Sequence, residues 1–144
     1  MDSVKRIVGY TTGVFDLFHA GHLNILRKAK ERCDYLVVGV STDELCVSYK
    51  HKKPLIPFEE RKAIVEAVRY VDEVYAQTDR DKFKAWEQRH FDVLFVGDDW
   101  KGTTFFEELE SKFARVEVRI EYIPYTHGVS TSILKQRILN SDER

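Results

Sequence analysis

Cysteine is nearly absent: the chain holds two, Cys33 and Cys46, in 144 residues. Two thiols exclude a disulfide framework, and their spacing fits no zinc pattern. Cys33 closes a helical apolar stripe and reads as a small core residue. An excess of either charge is also missing. With 23 Lys and Arg against 24 Asp and Glu, the net charge is -1. A general affinity for polyanions is therefore not implied, so no nucleic-acid partner is expected, and any nucleotide site must be local. No apolar run is long enough to span a bilayer, and Met1 to Arg6 is polar, with none of the apolar region of a signal peptide. The expectation is a cytoplasmic protein with no membrane partner. Internal repeats and low-complexity tracts are lacking too. What is present, 43% hydrophobic and 33% charged residues, suits one globular domain over 1–144 with a real core.

The apolar pattern switches repeatedly between runs and stripes. Ile7 to Thr12 reads as a first strand. The stretch after His22 places Leu23, Ile25, Leu26, Ala29 and Cys33 on one side of a helix. Tyr35 to Val40 is a continuous apolar run, suited to a strand covered on both faces. Together these make one βαβ unit. Ser41 to Glu44 closes the strand, and Tyr49 to Lys53 reads as an exposed basic loop. Pro57 can open a helix through Arg61, Ile64, Val65, Val68 and Arg69. A short strand follows at Val71 to Ala76, then a helix from Asp81 to His90 with Phe83 and Trp86 inward. Asp92 to Val96 is a buried strand ending at Gly97-Asp98-Asp99-Trp100. Thr104 can cap a helix carrying Phe106, Leu109 and Phe113. Val116 to Ile123 alternates as an edge strand and stops at Pro124. Ser130 or Thr131 can cap a last helix with Ile133, Leu134 and Ile138, and Ser141 to Arg144 is expected to fray. The sum is an α/β fold: a Rossmann-like, open, mainly parallel five-stranded sheet with helices on both faces. In such sheets ligands bind beyond the carboxyl ends of the strands, so the glycine-histidine turn and the turns at Ser41, Gly97 and Pro124, which all follow strands, should gather on one rim.

The most informative stretch is Gly13-Val14-Phe15-Asp16-Leu17-Phe18-His19-Ala20-Gly21-His22. It joins a strand to a helix start. His19 and His22 are three apart and can point the same way. Gly21 between them leaves room for close approach to the backbone, and a helix N-terminus favours an anion. The pair therefore marks a candidate phosphate site. The ordinary alternatives are a cap or two surface histidines. A zinc pair fits poorly, because zinc helices place histidines at i and i+4.

This stretch resembles the HxGH motif of a nucleotidyltransferase superfamily, and its surroundings resemble the cytidylyltransferase branch, from Ile7 to Ile138. The resemblance implies transfer of a nucleotidyl group from CTP to a small phosphorylated acceptor, most of all glycerol 3-phosphate. A phosphonate, phosphocholine, phosphoethanolamine or FMN acceptor is the alternative, as is a binding domain without catalysis. By resemblance His19, His22 and Arg69 are catalytic. Val14, Phe15, Ala20, Gly21, Lys52, Gly97 and Asp99 would bind nucleotide, while Lys50 and Lys82 would bind the acceptor. The block Tyr125-Thr126-His127-Gly128-Val129-Ser130-Thr131-Ser132 resembles the family's Arg-Thr-Glu-Gly-Ile-Ser-Thr-Thr, expected at the β- and γ-phosphates. Tyr125 and His127 depart from it, and His127 is expected to restore part of the lost positive charge. Val14 stands where most relatives carry Thr or Ser. Mg²⁺ accompanying CTP and a homodimer are further implications, with Asp16 a possible help to the ion and no metal ligand assigned.

Overall fold

The structure, a computed structural model, describes residues 5–141. The expectations for the first four residues and for 142–144 lie outside them. Five strands form one sheet: β1 (Val8–Gly13), β2 (Tyr35–Ser41), β3 (Glu73–Gln77), β4 (Val93–Gly97) and β5 (Arg119–Ile123). Their order is β3-β2-β1-β4-β5, and every pairing is parallel. Six helices connect them: α1 (Ala20–Lys30), α2 (Asp43–Lys50), α3 (Phe58–Glu66), α4 (Lys82–Arg89), α5 (Thr104–Ala114) and α6 (Thr131–Asn140).

Parallel strands need crossovers, and the helices of those crossovers cover both faces. On one face Leu26 and Ala29 of α1 and Val65 of α3 pack against Leu36, Val38, Val40, Val93 and Phe95. Cys33 packs against the same cluster, as expected. On the other face Phe106, Leu109 and Phe113 of α5, with Phe83 and Trp86 of α4, pack against Tyr10, Val37 and Leu94. The chain winds outward from β1 through β2 to β3, then crosses back to β4 on β1's other side. The winding sense thus reverses between β1 and β4, which is where an open α/β sheet leaves a crevice.

Side-chain caps set most helix starts. Thr42, Asp81, Thr103 and Ser130 each accept the N–H three residues on. Thr103, rather than Thr104, therefore opens α5. Helix α2 was not expected: Ser41 to Glu44 reads as a turn and Tyr49 to Lys53 as a loop. Thr42 caps this helix, and Asp43 and Glu44 suit its positive end. It buries only Cys46, so it shows no apolar stripe. Lys50 is consequently its last residue, followed by His51 in the left-handed region at φ 58°.

Candidate active site

The histidine turn builds itself from local hydrogen bonds. His19 is the N-cap of α1, and its Nδ1 accepts from Gly21 N–H at 3.0 Å. The Nδ1 of His22 accepts in return from His19 N–H at 3.2 Å, completing a reciprocal capping box. The ring centroids lie 3.9 Å apart. The ordinary alternative of a cap is thus true, and it has a chemical consequence. With Nδ1 spent as an acceptor, each neutral ring carries its proton on Nε2 and keeps one free donor. Burial pushes His22 down to about 4, helped by the neighbouring His19, with Asp16 opposing. Burial also lowers His19. Both rings are therefore neutral donors at neutral pH.

The turn before them is held from three sides. Phe15 and Leu17 take left-handed backbone conformations, at φ 57° and 51°, with Asp16 between. Asp16 is buried, and its two carboxylate oxygens accept Leu55 N–H at 2.8 Å and Ile56 N–H at 2.9 Å. The guanidinium of Arg61, fully buried, donates to the carbonyls of Val14 at 2.7 Å, Ser41 at 2.8 Å and Ile56 at 2.8 Å. It also pairs with Asp43 at 2.6 Å. One side chain thereby locks the ends of β1 and β2 and the loop before α3. Both oxygens of Asp16, the residue read as able to help hold Mg²⁺, accept main-chain N–H groups and so brace the turn. Among the described residues no group of three or more His, Cys, Asp or Glu could hold a metal ion.

The last block folds onto this turn. Asn24 of α1 donates to Thr126 at 2.9 Å, and Thr131 donates to the Asp16 carbonyl at 3.0 Å. Gly128, at φ +80°, makes the bend that a side chain would strain. The starts of α1 and α6 therefore sit side by side at the β1/β4 crevice, and their unpaired N–H groups favour an anion there.

Above them opens a cleft of about 1090 Å³ along the carboxyl rim. The turns after β1, β2, β3 and β4 all line it, as do Tyr125, Thr131 and Lys135. Val14, Phe15, His22, Lys50, Lys52, Lys82 and Gly97 line it too, so the structure brings these expected residues together. His19, Gly21 and Val129 cluster beside His22, since a Cβ on Gly21 would meet His19 and, at 3.7 Å, the Val129 carbonyl, and the His19 ring stacks on that of His22. Asp99 lies on the short 3-10 turn Asp98–Trp100 and hydrogen-bonds the Tyr125 hydroxyl. Partial burial, that bond and the nearby carboxylates of Asp99 and Asp98 push the Tyr125 phenol up to about 12. Lys82 opens α4 and donates to Thr12 Oγ1 at 2.8 Å. Desolvation first, then Arg80, pushes it down to about 8, against Asp81.

Two of the expected residues lie away from the cleft wall. Arg69 was expected to be catalytic. It is exposed, bonded to the Tyr70 hydroxyl at 3.0 Å, and lies between α3 and the start of β3, at the end of the sheet opposite the cleft. His127 was expected to replace a missing arginine, yet it is exposed and outside the cleft wall; Ser132 on α6 is exposed as well. The wall gains Lys135 instead, four residues after Thr131 and so on the same face of α6. That spacing was readable. Lys53 and Arg80 also line the wall, and neither stood out among the chain's other surface cations.

Comparison with known proteins bears on this geometry. The cytidylyltransferase-like family matches residues 10–137. The chain belongs to that family. It is 39% identical over 142 residues to the glycerol-3-phosphate cytidylyltransferase of Bacillus subtilis (strain 168), covering 94% of this chain and 98% of that one. It is also 37% identical over 144 residues to an FAD synthase of Thermococcus kodakarensis, covering 95% of each. Among solved structures, the lipopolysaccharide core biosynthesis protein of Thermoplasma volcanium GSS1 superposes with a TM-score of 0.70 at 27% identity, covering 85% of this chain and 98% of that one. The cytidylyltransferase-like chain is therefore a nucleotidyltransferase enzyme. Among its described residues no helix is long and apolar enough to cross a membrane.

Proposed function

We propose that the enzyme transfers the cytidylyl group of CTP to glycerol 3-phosphate, giving CDP-glycerol and pyrophosphate. The observation that carries this reading is the pair of stacked imidazoles, 3.9 Å apart, each bound through Nδ1 to the main chain. Their Nε2 donors need no proton from solution. They are fixed where the α-phosphate would sit against two helix starts. A phosphate oxygen of the acceptor attacks the α-phosphorus in line, and the bond to the bridging oxygen of pyrophosphate breaks. The protein forms no covalent bond; it aligns the reactants and stabilises charge on the equatorial and leaving oxygens. His19 and His22 supply donors there. The main chain at Val14 and Phe15, with Ala20 and Gly21, faces the same group. Thr126, Gly128, Val129, Ser130, Thr131 and Lys52 suit the β- and γ-phosphates. Gly97, Asp99 and Tyr125 suit the base and ribose, and Lys50 and Lys82 the acceptor.

Mg²⁺ enters with the triphosphate as part of the substrate, held by phosphate oxygens, since such an ion takes few protein ligands. The family resemblance supports a homodimer, which light scattering on the purified chain tests.

The deciding experiment is a matrix of nucleoside triphosphates against acceptors, read by pyrophosphate release. CTP with glycerol 3-phosphate should give the highest kcat/KM, with ATP far below. A maximum at ATP with FMN, or at CTP with phosphoethanolamine, phosphocholine or a phosphonate, would replace the acceptor or nucleotide named here. No turnover with any pair would leave a binding domain.

A further inference from the structure

The β2/β3 end of the cleft gathers Lys50, Arg80 and Lys82, none of which has an ion pair among the described residues. Lys82 is desolvated, and the partner the structure gives its ammonium is the neutral hydroxyl of Thr12, at 2.8 Å. Arg80, two residues earlier, is close enough to disfavour the charge on Lys82. Among the described residues the Arg80 guanidinium has no ion pair. Its central carbon sits over the Tyr49 ring, 4.0 Å from the centroid. Lys50 lines the same part of the wall. The nearest acids are otherwise engaged: Asp81 caps α4 through Lys84 N–H, and Asp79 pairs with Lys84 at 3.2 Å.

Holding like charges together around a desolvated ammonium costs folding free energy. An anion bound between them would repay it. The guanidinium is also pre-oriented. The cation–π contact with Tyr49 restrains the side chain, so that less rotamer entropy is lost on binding. Tyr49 itself sits on α2, the helix that β2 and its Thr42 cap position beside β3.

We propose that Arg80, backed by Tyr49, binds the acceptor's phosphate together with Lys82 and Lys50. A planar fork would grip two oxygens of that phosphate and leave the third to attack the α-phosphorus. Arg80 thereby selects phosphate monoesters over acceptors of lower charge. This rests on the proposed function, and the test separates the two.

Wild type, Arg80→Ala, Arg80→Lys and Tyr49→Leu are compared. Arg80 is exposed, so its variants should keep the wild-type Tm. Arg80→Ala should raise the KM for glycerol 3-phosphate roughly ten- to a hundredfold, as expected for losing a charge-assisted pair, while the Kd for CTP stays within about twofold. Arg80→Lys should recover part of the loss, and Tyr49→Leu should lose several-fold. An unchanged acceptor KM overturns the assignment. A CTP Kd that weakens by the same factor also overturns it, because Arg80 would then serve the triphosphate. If wild type turns over no acceptor, the proposed function fails on its own. Inorganic phosphate, titrated and read at the Thr12 and Lys82 resonances, then decides: weaker binding in Arg80→Ala upholds the phosphate seat, and equal binding removes it.

Discussion

A Cβ on Gly21 would stand 2.8 Å from Cε1 of His19 and 3.0 Å from its Nδ1. The glycine of the motif is thus required by a side chain, since Gly21 lies within α1 and its backbone needs no left-handed φ. The far end of the His19 ring is what must give way. Gly21→Ala should therefore fold, gaining some helix propensity and losing part of the cap, with Tm near wild type. Its kcat should fall roughly a hundredfold, the scale for losing one transition-state donor. Turnover equal to wild type would show that the His19 position is not critical.

The same scale applies to His19→Ala and His22→Ala, each expected to lose roughly a hundredfold or more in kcat. Their pH behaviour is more specific. His22 titrates at about 4 when folded and near its ordinary value when unfolded, so the unfolded chain binds the extra proton between. Its contribution is complete above about 6.5 and is lost as pH falls toward about 4, on the order of 2–3 kcal/mol. Protonation would also convert the Nδ1 acceptor into a donor and break the cap. Chemical denaturation between pH 7 and 4 should show wild type losing more stability than His22→Gln.

Lys82 gives the opposite limb. Its ammonium, at about 8 in the free enzyme, is lost as pH rises, so acceptor KM should climb above about pH 8. Lys82→Arg keeps its charge throughout and should flatten that limb. Stability changes the other way: the unfolded lysine holds its proton up to its ordinary value, so folding becomes more favourable as pH rises through that window. A KM flat from pH 7 to 9.5 would remove Lys82 from the acceptor site.

Arg61 should behave as structure. Arg61→Met leaves the Asp43 carboxylate and the carbonyls of Val14, Ser41 and Ile56 without their donor. Breaking such a buried pair costs about 3–5 kcal/mol, measurable as a shift of the urea midpoint. Arg61→Lys should recover only part, since an ammonium cannot span four acceptors in one plane.

By itself the sequence determined the layers and the motif. Continuous apolar runs such as Tyr35 to Val40 fit only strands covered on both faces, and stripes such as Leu26 and Ala29 fit only helices against them. Three-residue spacing put His19 and His22 on one side, and the departures at Tyr125 and His127 were visible as residue types. These are local properties, fixed by a period of two or 3.6 residues. The tertiary structure decided which element ends meet. Arg69 and Arg61 stand eight positions apart around α3, yet Arg61 is buried beneath the turn and Arg69 lies at the far end of the sheet. Arg80 and Lys82 reached the cleft because β3 delivers its carboxyl end to the rim beside β2. Helix α2, with one buried residue, had no periodic signature and owes its place to a cap and its neighbours. A crossover's return to the sheet brings together residues of large sequence separation, and no local period encodes that.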